Sequence, residues 1–322
     1  MAIYTKISRN DLIPIERRFN LGKIISFKGI KKGIENTNYL LRTKNNKYIL
    51  TIFEKRVQKK DLPFFMSLMD KLNNHKINCP KPQKSKKGNY LVNIKNKPAS
   101  IVSFVEGRDK NKLKIKDCYE IGKNIAKFHT VSKKIKLYRK NSLSLSSWPK
   151  LLNKIGNKCN KIDVNLNNLM KTSLTDIKKR WPRKLSSGII HGDLFIDNIF
   201  FKNNKFYGYI DFYFSSNDFF MYEIAICINA LCFDKKKGNF IFNKKKSKNL
   251  LKGYSSLRKL SKDEKNSLNV LCRGAALRYL LTRTYDYLNT PKSAVIKIKN
   301  PREYIQKLII HNKFNNFKNY YN

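Results

Sequence analysis

The residues from Gly188 to Glu223 have the types and spacing that chemistry requires: GIIHGDLFIDNIFFKNNKFYGYIDFYFSSNDFFMYE. His191, Asp193 and Asn198 follow a short apolar run, and Asp211 ends a later one. Phosphoryl transfer needs a positioned hydroxyl nucleophile and a divalent cation held by hard oxygen ligands. The spacing therefore predicts Asp193 as the general base, with Asn198 and Asp211 as ligands of Mg²⁺.

The elements that must position these side chains are two short predicted strands, residues 199–202 and 206–210, joined by an Asn-Asn turn. Such a hairpin brings the loop ahead of it and the end of its second strand close together. Further predicted strands cover residues 23–27, 37–42, 48–53, 90–94 and 99–105. Apolar spacing predicts helices at residues 62–73, 117–130, 148–154, 166–179, 219–233, 262–289 and 301–312.

The distribution of these elements predicts an α+β protein with two lobes. Residues 1–106 are expected to form a small antiparallel β lobe with one helix and to bind a nucleotide. Residues 107–322 are expected to form a larger, mainly helical lobe that carries the loops described above.

The series H-x-D-x-x-x-x-N followed by I-D resembles the catalytic and metal loops of the protein-kinase-like fold. Its HGDL form is similar to the aminoglycoside phosphotransferase and choline kinase branch. Five further segments, over nearly the whole chain, resemble the homoserine kinases of that branch: GIENTNY, ILTIFE, LPFF, IDFYFSSND and RGAALRYLLTR. The resemblance implies transfer of the ATP γ-phosphate to the side-chain hydroxyl of L-homoserine, which gives O-phospho-L-homoserine on the way to threonine.

The resemblance also implies where the nucleotide binds and how the catalytic loop is braced. His191 is expected to support that loop, and backbone groups at the end of the last strand of the first lobe are expected to hold the adenine. Thr51 occupies the third-strand position where the fold usually has Lys or Arg, which leaves Lys31, Lys32 and Lys55 as candidates for the phosphates. The expected nucleotide-binding residues are Gly29, Gly33, Asn36, Asn38, Thr51, Ser103 and Val105.

Three residues are candidates for the acceptor. Asp218 is expected either to bind the ammonium group of homoserine or to cap the following helix. By the same resemblance, Glu223 is expected to help orient the catalytic loop and bind the acceptor. Arg278 suits a carboxylate, but Arg278 and Arg283 lie in an apolar helix, where an acid such as Asp286 is the favoured partner.

Composition excludes several classes of protein. With 322 residues, 41% of them apolar, the chain is long enough to bury a core and is not intrinsically disordered. The net charge of +47 suggests nucleic acid, but the basic residues are mostly Lys and are spread along the chain, so no nucleic-acid partner is expected. Six Cys without a C-x-x-C pair and a polar N-terminus indicate a cytoplasmic protein without a zinc site or a membrane span. The oligomeric state stays open.

Three alternatives remain. The first is another small-molecule kinase of the same branch, acting on choline, methylthioribose or an aminosugar. A choline site needs an aromatic cage, whereas homoserine needs a partner for its carboxylate. The others are a nucleic-acid-binding protein and a regulatory pseudokinase, and the intact Asp193, Asn198 and Asp211 argue against the latter.

Overall fold

The chain divides into two units. A computed structural model describes residues 4–30, 36–54, 57–290 and 298–321. The first unit contains the described residues up to Gly107 together with Tyr207–Tyr213. The second contains Arg108–Phe206 and the described residues from Phe214 onwards.

The first unit is built on a five-stranded antiparallel sheet of order β1-β2-β3-β5-β4. Alternate residues such as Leu41, Leu50 and Ile101 point into its core and are fully buried. The strands are β1 (Ile24–Gly29), β2 (Thr37–Thr43), β3 (Lys47–Ile52), β4 (Leu91–Ile94) and β5 (Lys97–Ser103).

Two helices belong to this unit, α1 (Arg9–Arg18) and α2 (Leu62–Asn74). The prediction of a single helix is therefore wrong. In α1 only Leu12 and Ile15 are buried, and Pro14 interrupts the pattern, so its apolar periodicity is weak. The sequence feature that marks the start of this helix is the pair Ser8 and Asp11. The Ser8 backbone N–H donates to Asp11 Oδ2 at 2.7 Å.

The second unit is mainly helical, with short strand pairs between its helices. Strands β6 (Ser187–Ile190) and β9 (Ser216–Phe219) pair antiparallel, as do β10 (Phe233–Lys236) and β11 (Asn239–Phe242). Strand β7 (Ile199–Lys202) forms a hairpin with β8 (Lys205–Tyr209), and the division between the units falls within β8, after Phe206. The helices are α3 (Ile115–Ser132), α4 (Trp148–Ile155), α5 (Leu166–Arg180), α6 (Phe220–Leu231), α7 (Lys244–Leu257), α8 (Lys262–Asn289), α9 (Arg302–Asn312) and α10 (Lys318–Tyr321).

The predicted bounds of α8 and β7 agree with the structure, whereas α7, β9 and the β10–β11 pair were missed. Helix α7 opens with three lysines, and this polar start hides its apolar face. Its start is marked by Asn243, whose side chain accepts a hydrogen bond from the Lys246 backbone N–H. Within the described residues, no helix combines the length and the apolar character that crossing a membrane requires.

Helices α3 and α7 cross at two glycines. A Cβ atom on Gly122 would lie 2.0 Å from the backbone oxygen of Leu250, and one on Gly253 would lie 1.9 Å from that of Tyr119. Both distances are far below van der Waals contact, and in each case the obstacle is rigid backbone. The two helices therefore approach as closely as they do because neither glycine carries a side chain.

We expect Gly253→Ala to destabilise the protein by about 1–3 kcal/mol, since the added methyl group forces α3 and α7 apart. Helix propensity alone gives the opposite sign, a gain of about 1 kcal/mol for Ala over Gly. The thermal unfolding midpoint measures the outcome, with Lys252→Ala on the exposed face of the same helix as the control. A higher midpoint for Gly253→Ala would contradict the close crossing.

Candidate active site

The loop that follows β6 begins with a glycine that no other residue can replace without strain. Gly192 has φ +80°, a left-handed conformation, and a Cβ atom there would lie 2.8 Å from the backbone oxygen of Phe214. The preceding Ile189 and Ile190 are fully buried and fix the direction in which the chain enters the loop.

Glu223, in the first turn of α6, holds this loop. Its Oε2 accepts a hydrogen bond from the His191 backbone N–H at 2.7 Å, and its Oε1 accepts one from the Gly192 backbone N–H at 2.8 Å. The side chain is fully buried. This geometry corrects the expectation that Glu223 contacts the acceptor, because both of its oxygens are directed at the loop backbone and none is exposed.

Besides the loop backbone, Glu223 contacts a side chain of the core. His129 Nε2 lies 3.4 Å from Glu223 Oε2, and His129 Nδ1 lies 2.8 Å from the Tyr254 hydroxyl. Burial alone raises the pKa of the Glu223 carboxyl, but the hydrogen bonds from His129 and from the His191 backbone outweigh burial and hold the pKa below its ordinary value. Burial lowers the pKa of His129. Glu223 is therefore ionised in the folded protein.

Asp193 is held by two side chains. Asn198 Nδ2 donates to the Asp193 backbone oxygen at 2.8 Å, and the Tyr279 hydroxyl donates to Asp193 Oδ1 at 3.1 Å. The structure thus brings Asp193 and Asn198 together, in the second unit. Tyr279 was missed, although it lies within the segment RGAALRYLLTR, because a tyrosine in an apolar helix is typical of a core residue.

The second unit also supplies one of the two predicted metal ligands. Asn198 Nδ2 makes both hydrogen bonds of this side chain, so Oδ1, the atom a metal prefers, has no hydrogen bond within the described chain. Asp211 belongs to the first unit, where its exposed side chain follows β8 on backbone with φ +65°. No group of three His, Cys, Asp or Glu side chains suited to a metal occurs in the described residues. An amide oxygen and a carboxylate nevertheless fit Mg²⁺, which keeps several waters and takes few protein ligands.

A stack of aromatic and charged side chains lies behind Tyr279. Its ring stacks on that of Tyr304 at 5.1 Å, and the Arg283 guanidinium lies 4.4 Å from the Tyr304 ring centre. Glu303 binds Arg283 Nη1 and Lys307 Nζ, both at 2.6 Å. An acid that pairs with Arg283 is therefore Glu303, on α9, which fits the expectation of a nearby acid as its partner.

Arg278 and Asp218 are both largely buried in the second unit. Arg278 donates from Nη2 to the Gly192 backbone oxygen at 3.2 Å and lies 4.0 Å from the Tyr279 ring centre. Asp218 accepts hydrogen bonds from Asn141 Nδ2 at 2.6 Å and from the Phe219 backbone N–H at 2.7 Å.

The structure around Asp218 tests whether this residue caps helix α6. Burial raises the pKa of Asp218, against the opposing hydrogen bonds from Asn141 and Phe219. The N-cap of α6 is Phe219, without a side-chain cap, so the helix-capping role predicted for Asp218 is wrong.

The predicted nucleotide residues of the first unit are partly engaged with one another. Thr51 Oγ1 donates to Asn38 Oδ1 at 2.8 Å across the β2–β3 pair, and Asn36 Oδ1 accepts a hydrogen bond from the Glu54 backbone N–H at 3.3 Å. Gly29 ends β1. Gly33 and the phosphate candidates Lys31, Lys32 and Lys55 lie outside the described residues.

The backbone after β5 leaves one donor available. The Ser103 N–H donates to the Lys81 oxygen at 2.8 Å, and the Phe104 N–H donates to the Lys47 oxygen at 3.1 Å. The Val105 N–H has no hydrogen bond to any part of the chain that the structure describes. Of the N–H groups predicted to hold adenine, those of Ser103 and Phe104 are thus already used within the sheet.

Comparison with known proteins identifies relatives over the whole chain. A family model described as "Phosphotransferase enzyme family" matches residues 26–241, more than half of the chain. A homoserine kinase of Nitrobacter hamburgensis is 40% identical over 320 residues, which are 99% of this chain and 97% of that protein. A homoserine kinase of Agrobacterium fabrum is 40% identical over 320 residues, 99% of this chain and 98% of that protein.

Solved structures share the fold at low sequence identity. Amicoumacin kinase in complex with AMP-PNP, Ca²⁺ and Ami matches with a TM-score of 0.73 and 15% identity, over 96% of this chain and 95% of that one. The choline kinase LicA from Streptococcus pneumoniae matches with a TM-score of 0.65 and 16% identity, over 94% and 100%. These likenesses confirm the predicted protein-kinase-like α+β fold.

We expect Glu223→Gln to lower the free energy of unfolding by about 1–3 kcal/mol, because one buried backbone N–H of the loop loses its acceptor. The amide of Gly192 should also exchange its hydrogen faster, which reports the loop itself. Glu120→Gln, on an exposed face of α3, is the isosteric control. Unchanged stability together with unchanged exchange at Gly192 would show that Glu223 does not hold the loop.

We expect the contribution of Glu303 to stability to depend on pH. Burial alone raises the pKa of Glu303, but the charges of Lys307 and Arg283 outweigh it and hold the pKa below its ordinary value. The contribution is therefore fully present above about pH 4.3, the ordinary pKa of Glu, and is lost as the pH falls through the lowered value.

Thermal unfolding of the wild type and Glu303→Gln between pH 7 and pH 3 tests this expectation. The difference between their midpoints should be large at neutral pH and should shrink at the acid end of the range. Asp263→Asn, exposed in the first turn of α8, controls for general acid effects. A difference that stays constant with pH would contradict the ionised state of Glu303.

Proposed function

Because the chain belongs to the phosphotransferase enzyme family, we propose that it is a homoserine kinase. It transfers the γ-phosphoryl group of ATP to the side-chain hydroxyl of L-homoserine and releases ADP and O-phospho-L-homoserine. The observation that carries this proposal is the 40% identity over 99% of the chain to proteins named homoserine kinase. The arrangement around Asp193 supports the same reaction type.

Asp193 is the proposed general base. It orients the hydroxyl of the acceptor and accepts its proton as the oxygen attacks the γ-phosphorus in line. Its backbone oxygen is bound by Asn198 and its Oδ1 by Tyr279, which fixes the carboxylate in one orientation. A base that is held in place has little reorganisation left for the moment of reaction.

Mg²⁺ is the proposed cation. Asn198 Oδ1 would be one ligand, and the resemblance in the motif assigns Asp211 the same role; the bound cation would supply positive charge for the β- and γ-phosphates. For the adenine we propose the Val105 N–H, which has no hydrogen bond within the described residues. Asp218 lines a cavity of about 480 Å³ in the second unit and is the proposed contact for the ammonium group of homoserine.

Release of ADP from Mg²⁺-ATP tests the reaction. The panel contains L-homoserine, L-serine, L-threonine, choline, methylthioribose, an aminoglycoside and no acceptor. We expect turnover with L-homoserine and, for Asp193→Asn, a decrease of about 10²–10⁴-fold because the general base is lost.

The matched control for this series is Asp197→Asn, four residues further along the same loop, which removes a carboxylate without touching Asp193. It should keep most of the activity. Turnover with a different acceptor would preserve the reaction type and overturn the substrate. ATP binding without turnover on any acceptor would favour a regulatory pseudokinase.

A further inference from the structure

Arg278 is a buried cation that makes no ion pair within the described residues, although the charges of Asp193 and Asp218 act on it from a longer distance. Its side chain lies in the middle of α8, and the residue is 5% exposed. Its guanidinium donates from Nη2 to the Gly192 backbone oxygen at 3.2 Å, and Nε is buried without a partner in the described residues. A buried guanidinium is strongly disfavoured unless an anion and further acceptors satisfy it.

The other buried basic side chains in the described part of the chain each have a carboxylate. Arg283 and Lys307 share Glu303, both at 2.6 Å, and Lys246 Nζ lies 2.6 Å from Asp234 Oδ1. Arg278 alone among the buried basic residues of the described ranges makes no ion pair. Arg278 therefore differs from the other buried Lys and Arg side chains of these ranges, which each lie within ion-pair distance of a carboxylate.

The position of Arg278 relates this charge to the reaction. Gly192, whose oxygen it binds, directly precedes Asp193, and the Tyr279 ring on which it packs carries the hydroxyl bound to Asp193. Tyr222 lines the cavity that Asp218 also lines, and its hydroxyl is likewise buried without a partner. The pKa of Tyr222, raised by burial, is lowered in part by the nearby charge of Arg278.

We propose that Arg278 binds the α-carboxylate of the acceptor and so makes the enzyme select an amino acid over the corresponding amino alcohol. The inference rests on the proposed function. A planar guanidinium with donors to spare matches a carboxylate, which supplies the missing anion and the missing acceptors at once. An acceptor without a carboxylate leaves the cation buried and unpaired, and this loss is the source of the selectivity.

Two acceptors and two variants test the proposal. The acceptors are L-homoserine and 3-aminopropan-1-ol, which has the same hydroxyl and amino groups without the carboxylate. The variants are Arg278→Met, which removes the charge, and Arg278→Lys, which keeps it without the fork. Lys265→Met, exposed on the same helix, controls for loss of a charge from α8.

With L-homoserine, we expect kcat/KM to fall at least about 100-fold in Arg278→Met and less in Arg278→Lys. With 3-aminopropan-1-ol, the wild type should be weak and Arg278→Met should change kcat/KM by less than about 3-fold. The KM for ATP should not change. Equal losses on both acceptors would overturn the proposal and make Arg278 a positioning residue for the Gly192 backbone, and a raised KM for ATP would assign its partner to a phosphate.

The design separates this inference from the proposed function. If the wild type does not phosphorylate L-homoserine, the proposed function fails first. If it does and Arg278→Met keeps the preference for homoserine over the amino alcohol, only the carboxylate assignment fails. The thermal midpoint of each variant shows that it is folded.

Discussion

The two hydrogen bonds from the loop backbone to Glu223 are the interaction on which the site in the second unit depends. They fix the N–H groups of His191 and Gly192 on one carboxylate, at 2.7 and 2.8 Å. A buried carboxylate has a high desolvation cost unless donors surround it, so Glu223 and the loop are stable only together. Asp193 comes next in the chain, and its position follows from that of Gly192.

Helix α8 supports the other side of the same loop. The adjacent residues Arg278 and Tyr279 of this helix contact the Gly192 oxygen and Asp193, and Arg283, about one turn further along, pairs with Glu303. The ring of Tyr279, which contacts Asp193, stacks on the ring of Tyr304, and Tyr304 in turn contacts Arg283. The orientation of the Asp193 carboxylate is therefore fixed by a layer of packed side chains as well as by the loop backbone.

The sequence predicts what is local and misses what is brought together from a distance. Asp193 and Asn198 lie five residues apart, and their pairing follows from a short turn and the start of β7. Tyr279 lies 86 residues from Asp193, so no local pattern relates the two. Periodicity likewise gives the bounds of α8 correctly but does not reveal that Arg283 pairs with Glu303 on α9.

Acidic residues are scarce in this chain, so few of its basic residues can form ion pairs. There are 69 basic residues and 22 acidic ones, so most cations are left to solvent, where water and salt screen them. Two carboxylates are used where desolvation is costly: the half-buried Glu303 on two buried cations and the buried Glu223 on the loop backbone. Since the protein supplies acids to its other buried cations despite this shortage, the absence of one at Arg278 reflects the position of that residue beside the catalytic loop and not the composition of the chain.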